Sequence, residues 1–166
     1  MQKGEILDGR ISGVKPPSVP SNLNPPAGEE LILVLRATGF QIYTCRRSAD
    51  GKGTWVLKMP QAELRDGDGE VVGKHYAGPT WEHIDGSQIT AKPVSKAEAP
   101  LAEAVPWLLL TVTGRSGEGV LGSVTSIQRI QTSGGQAPES IDNGLEPGDE
   151  LKVNYSADYY FYAPHK

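Results

Sequence analysis

Cysteine is almost missing from this chain. The single residue, Cys45, excludes any disulfide within the molecule, and a bond through it would have to run to another chain. Basic clusters are missing too. Sixteen Lys and Arg stand against 20 Asp and Glu, a net charge of −4, which argues against a nucleic-acid partner. There is no long hydrophobic run: the stretch "VPWLLLTVTG" is far too short to cross a bilayer as a helix, so no membrane insertion is expected. The N-terminal "MQKGEILDGRISG" lacks the apolar segment of a secretory signal, so the chain reads as intracellular or as a mature form. Helix-favouring composition is scarce. Only "SKAEAPLAEAV" has it, and Pro100 and Pro106 limit that stretch to a turn or two.

What is present is strand. Residues 1–28 form an arm whose segment "VKPPSVPSNLNPPAG" carries five prolines and reads as polyproline-like extension. Residues 29–166 form a single β domain. "ELILVLRATGFQIYTCRR" is β-branched and aromatic, with a break between two strands expected at Ala37-Thr38-Gly39. "TWVLKM" is a strand that Pro60 should end. "AELRDGDGEVVGKHY" reads as a strand, a "DGDG" hairpin turn and a second strand. "SQITAKPV", "WLLLTVTG", "VTSIQRIQT" and "DELKVNYSADYYFY" supply the remainder. The prediction is an all-β, antiparallel sandwich or barrel of about nine to eleven short strands.

Several motifs invite a functional reading. "SGEGVLGS" contains G-x-G-x-x-G at Gly117, Gly119 and Gly122, but a dinucleotide site needs a helix to follow, and "SVTSIQRI" is a strand. The motif is read as a turn, and nothing else in the sequence calls for a cofactor. "GKHYAGPTWEHIDGS", residues 73–87, gathers His75, Tyr76, Trp81, His83 and Asp85. His75, His83 and Asp85 are chemically fit to ligate zinc or copper. The alternatives are a structural corner and a small-molecule or glycan cleft that also uses Tyr160. No nucleophile elbow or other catalytic constellation is legible, so an enzyme is the less favoured class.

Alternation along "VNYSADYYFY" puts Val153, Tyr155, Ala157, Tyr159 and Phe161 on a core face. Tyr160 and Tyr162 fall on an outer face suited to a ligand or a protein contact. In "QIYTCRR" it groups Gln41, Tyr43 and Cys45 against Ile42 and Thr44 without deciding which set is buried.

The ordered segments "GFQIYTC", "WVLKMPQAEL", "GKHYAGPTWEHIDGS", "PWLLL", "VTSIQRIQTSGGQAP" and "VNYSADYYFY" resemble the domain of unknown function family 3455 of bacteria and fungi, across most of residues 28–162. The resemblance implies no activity. It does imply a mature secreted or extracellular form, as many members look secreted. It also implies a second cysteine just after "GGQAP" as partner to that of "QIYTC"; here Ile141 stands near that position, leaving Cys45 for a tentative bond between subunits. The leading expectation is a non-catalytic, self-associating structural or storage protein. The alternative is the small-molecule or glycan module at the His-Trp corner, and a metal-dependent enzyme stands last.

Overall fold

The computed structural model describes residues 6–7, 10–11, 15–139, 141 and 144–165. Two short strands in the arm, β1 (Ile6–Leu7) and β2 (Arg10–Ile11), pair with each other. Eight more follow: β3 (Glu29–Arg47), β4 (Gly53–Arg65), β5 (Val71–Tyr76), β6 (Thr80–His83), β7 (Gln88–Ala97), β8 (Trp107–Ser116), β9 (Ser126–Gly134) and β10 (Glu150–Pro164). Each pairs antiparallel with its sequence neighbour, and β10 pairs back onto β3, so the meander closes into a barrel. Among the described residues the only helical segments are two 3-10 turns, Ser21–Leu23 and Val120–Ser123.

Three local expectations give way to register. The break expected at Ala37-Thr38-Gly39 does not occur, and β3 runs through it for 19 residues. Glycine is there for another reason: a Cβ at position 39 would lie 2.2 Å from the Gln61 carbonyl oxygen, where β4 crosses close by. Pro60 does not end β4, which continues to Arg65. The proline pairs with Gln41 of β3, while β5 joins β4 only from Ala62 onward, so at Pro60 β4 has an open edge, where proline is tolerated. "SKAEAPLAEAV" forms no helix. Its first residues extend β7, and Ala104 makes an isolated bridge to Gly135.

The barrel interior holds the main core, including Leu33, Leu35, Leu64, Ile89, Ile127 and Phe161. One end is plugged by the turn at Val120–Ser123, whose Leu121 is fully buried. The arm lies against the outside. Leu23, 0% exposed, packs there with Trp107, Leu109, Ile130 and Tyr160. Burying a leucine this fully contributes roughly 2 kcal/mol, enough to hold an extended segment in place. Gln128 Nε2 donates to the Leu23 carbonyl (2.8 Å) and Asn22 Nδ2 to that of Lys96 (2.9 Å). Much of the outer tyrosine face of β10 is therefore covered by the chain's own arm.

The wall is uneven. β5 and β6 have 6 and 4 residues, between β4 with 13 and β7 with 10. Gly53–Gln61 of β4 and Ala91–Ala97 of β7 consequently have ladder partners on one side only. The two segments border a lateral notch above the Ala77–Pro79 turn, and Val56, Leu57 and Val94 are exposed along it.

Cys45 sits near this end and is 1% exposed. Its N–H donates to the Asp149 carbonyl and its own carbonyl accepts from Gly148, so the segment entering β10 lies over it. Ile141 is close by, within 3.1 Å of where a Cβ on Gly53 would stand. Both faces of β3 are covered here: Gln41, Ile42 and Cys45 are all buried. A bond from Cys45 to another chain would require this end to open. In native buffer an aromatic disulfide reagent should leave Cys45 unlabelled over the time in which guanidinium-unfolded protein reacts completely; rapid labelling of the native protein would show an open end.

Candidate functional site

The residues of "GKHYAGPTWEHIDGS" are sorted by the hairpin of β5 and β6. His75 and Trp81 are directly opposed across it, and opposed residues share a face. That face is the barrel interior, where the two rings stack with centroids 4.3 Å apart. Tyr159, from the core face of β10, meets Trp81 edge-on at 5.5 Å and His75 at 5.2 Å. The three rings form the floor of a chamber of about 340 Å³, whose lining includes Gln41, Leu57, Pro79, Pro93, Leu110 and Arg129. The chamber is reached through the notch between β4 and β7, and its size falls within the range of small-molecule sites.

The polar groups of the floor are ordered by one carbonyl. His75 Nδ1 lies 2.8 Å from the Thr80 oxygen, which can only accept, so Nδ1 carries the proton and Nε2 accepts. Tyr159 then donates to Nε2 across 3.4 Å, and Tyr155 donates to the Tyr159 hydroxyl at 3.3 Å. Burial pushes the His75 pKa down to about 3; the Thr80 bond opposes this, and the charge of Arg129 adds to it. Burial is also the main reason the Tyr155 hydroxyl is pushed far up. Arg129 enters the interior from β9 and donates from Nε (3.0 Å) and Nη2 (2.8 Å) to the Pro106 carbonyl.

His83 and Asp85 belong to a different structure. The Asp85 N–H donates to His83 Nδ1 at 3.1 Å. The carboxylate accepts from the Ser87 N–H and hydroxyl through Oδ1, and from the Val120 N–H through Oδ2. Burial alone would raise the Asp85 pKa; these hydrogen bonds and His83 outweigh it and lower the pKa. Asp85 thereby staples the β6–β7 turn to the plug. The glycine motif is the other half of that staple. At Gly117 (φ 74°) a Cβ would meet the Gly86 carbonyl at 2.0 Å, and at Gly119 it would meet the Asp85 carboxylate at 2.2 Å.

Of the residues singled out in the sequence, His75 and Trp81 meet in the chamber. Tyr76 alternates to the outside, where its hydroxyl donates to Glu82 Oε1 (2.6 Å) and Gln88 Oε1 (3.1 Å). Tyr160 lies outside as well, under the arm, so it shares no cleft with His75. His75, His83 and Asp85 do not converge, and among the described residues no group of three or more His, Cys, Asp or Glu is placed to hold a metal. Sequence reasoning missed Gln41 and Arg129 as chamber residues. The signal for Arg129 was its alternation with Ile127, which puts an arginine on an inward face; the neighbouring Gln128 and Ile130, buried beneath the arm, obscured it.

Fold and site together define an eight-stranded up-and-down β-barrel with an interior, aromatic-floored chamber. The chain belongs to the family described as "Protein of unknown function (DUF3455)", which matches residues 26–163. Neither a curated protein nor a solved structure matches it.

The buried imidazole gives the barrel a pH dependence. Unfolded, the histidine titrates near 6.5; folded, it resists protonation down to about 3. The unfolded state therefore binds the extra proton as pH falls through this window. Stability is full above about pH 6.5 and should drop by up to about 1.4 kcal/mol per pH unit between pH 6 and 4. Urea unfolding across that range measures the slope, and His75→Gln should flatten it. An unchanged slope in the variant would assign the dependence to other groups.

Proposed function

We propose that the protein is a small-molecule-binding β-barrel whose site is the interior chamber floored by His75, Trp81 and Tyr159. The observation that carries this is the chamber itself: about 340 Å³ of space inside the barrel, beside a wall left incomplete by the short β5–β6 hairpin. Barrels of eight strands either fill their interior with side chains or hold one small ligand. Here the plugged end is filled and the notched end is not. The lining suits binding, with apolar walls and a few fixed polar groups. Each nitrogen of His75 is engaged within the protein, which favours a wall over an acid–base catalyst.

A thermal-shift screen of small aromatic and aliphatic compounds tests this reading. A ligand present at about 100 times its dissociation constant stabilises by about 2.7 kcal/mol, which should raise Tm by roughly 5–10 °C in a domain of this size. Leu108→Trp, which fills the chamber from β8, should abolish the rise. Rises that survive this substitution would place binding elsewhere.

Self-association is the second reading, and a specific observation favours it. The open edges of β4 and β7 carry exposed Val56, Leu57 and Val94, and an unpaired edge can add a strand from a second copy. It supports a structural or storage role without any bond through Cys45. Light scattering over a concentration series should then show species larger than the 17.8 kDa chain that Leu57→Lys disperses. A constant monomer mass would end this reading.

A further inference from the structure

The polar groups of the chamber point to the kind of molecule it takes. Gln41 and Trp81 are 2% and 1% exposed, and Gln41 Oε1 and Trp81 Nε1 have no hydrogen-bond partner among the described residues. Both line the chamber, together with Arg129. Arg129 commits Nε and Nη2 to Pro106. No carboxylate lies within ion-pair distance of it among the described residues. The two unmatched atoms are sealed within the chamber wall, whereas Arg129 reaches the chamber with Nη1 uncommitted; an unmatched polar group costs about 1–3 kcal/mol, so this one draws its partner from whatever fills the chamber, solvent or ligand.

The guanidinium donates while carrying a charge and so calls for an anionic acceptor. A planar guanidinium fork matches a carboxylate, and a single positive charge balances a single negative one. A doubly charged phosphate would remain half uncompensated. The rest of the lining includes Leu57, Met59, Pro60, Pro93, Leu108 and Leu110, which call for an apolar body. At about 30 Å³ per water-sized unit, the chamber accommodates on the order of ten non-hydrogen atoms.

We propose that the chamber binds a compact monocarboxylic acid with an apolar body, its carboxylate held by Arg129. This rests on the small-molecule reading above and narrows it to a ligand class.

The test compares 3-phenylpropanoate with its neutral amide, 3-phenylpropanamide, by calorimetry on the full chain at pH 7. The Trp81 indole N–H resonance, assigned with Trp81→Phe, reports the location. The expected result is that the acid binds at least tenfold more tightly than the amide and shifts the resonance of Trp81 in the chamber wall. Arg129→Gln should erase the preference, and Arg129→Lys should retain part of it. Equal binding of acid and amide would overturn the carboxylate assignment and leave the binding chamber standing. An acid preference that persists in Arg129→Gln, or that leaves Trp81 unmoved, would put the anion elsewhere and also overturn it. If neither compound nor any in the thermal-shift screen binds, the small-molecule reading itself fails. Should Arg129→Gln not fold, the wild-type preference, the Trp81 shift and Arg129→Lys decide the question.

Discussion

Everything in this molecule depends on β10 pairing along both of its edges. Fifteen residues long, it meets β3 on one side and β9 on the other, turning a meander of hairpins into a closed wall. Closure removes the sheet edges that an open meander would expose and creates an interior. It also fixes the inward set: Tyr155, Ala157, Tyr159 and Phe161 line the inside because period-two alternation along β10 leaves no other choice. The floor of the chamber follows from that set and from the opposed pair His75 and Trp81.

Closure also transfers irregularity. A ring of antiparallel strands has no free edge only if its strands are of comparable length, and the β5–β6 hairpin is too short to match its neighbours. The deficit appears as a notch beside the chamber, and the residues along it fit their place: Pro60 on β4 and Pro93 on β7 sit where the strand has a partner on one side only. The opposite end is plugged. The Asp85 carboxylate draws in the Val120–Ser123 turn, and Gly117 and Gly119 allow the two turns to approach within van der Waals reach.

The fold class was legible from local chemistry alone, since β-branched runs, alternation and the "DGDG" turn all speak at short range. What stayed hidden is set by partners distant in sequence. Gly39 resembles a strand break until the Gln61 carbonyl is seen beside it. Gly117 and Gly119 read as a plain turn until they are seen against Gly86 and Asp85. The His-Trp corner was visible as a concentration of residue types, which grouped Tyr76 with His75 although alternation sends the two to opposite faces. The failure of His83 and Asp85 to join His75 was not visible, because it follows from hydrogen bonds to Ser87 and Val120. Arg129 stood on a strand with no clean apolar face, since the arm buries the outer side as the core buries the inner one.

The pairing of β3 with β10 has a consequence in time as well as in space. Arg36 meets Asp158 and Ser156 across more than a hundred residues of sequence, and near the termini the His165 N–H donates to the Gly28 carbonyl. Contacts this distant are slow to form, because a long loop must be ordered before they return any free energy. During synthesis β3, the first strand of the ring made, must wait with one edge unpaired until the last emerges. The growing chain is then an open sheet, and its most aggregation-exposed period ends only once β10 has been made.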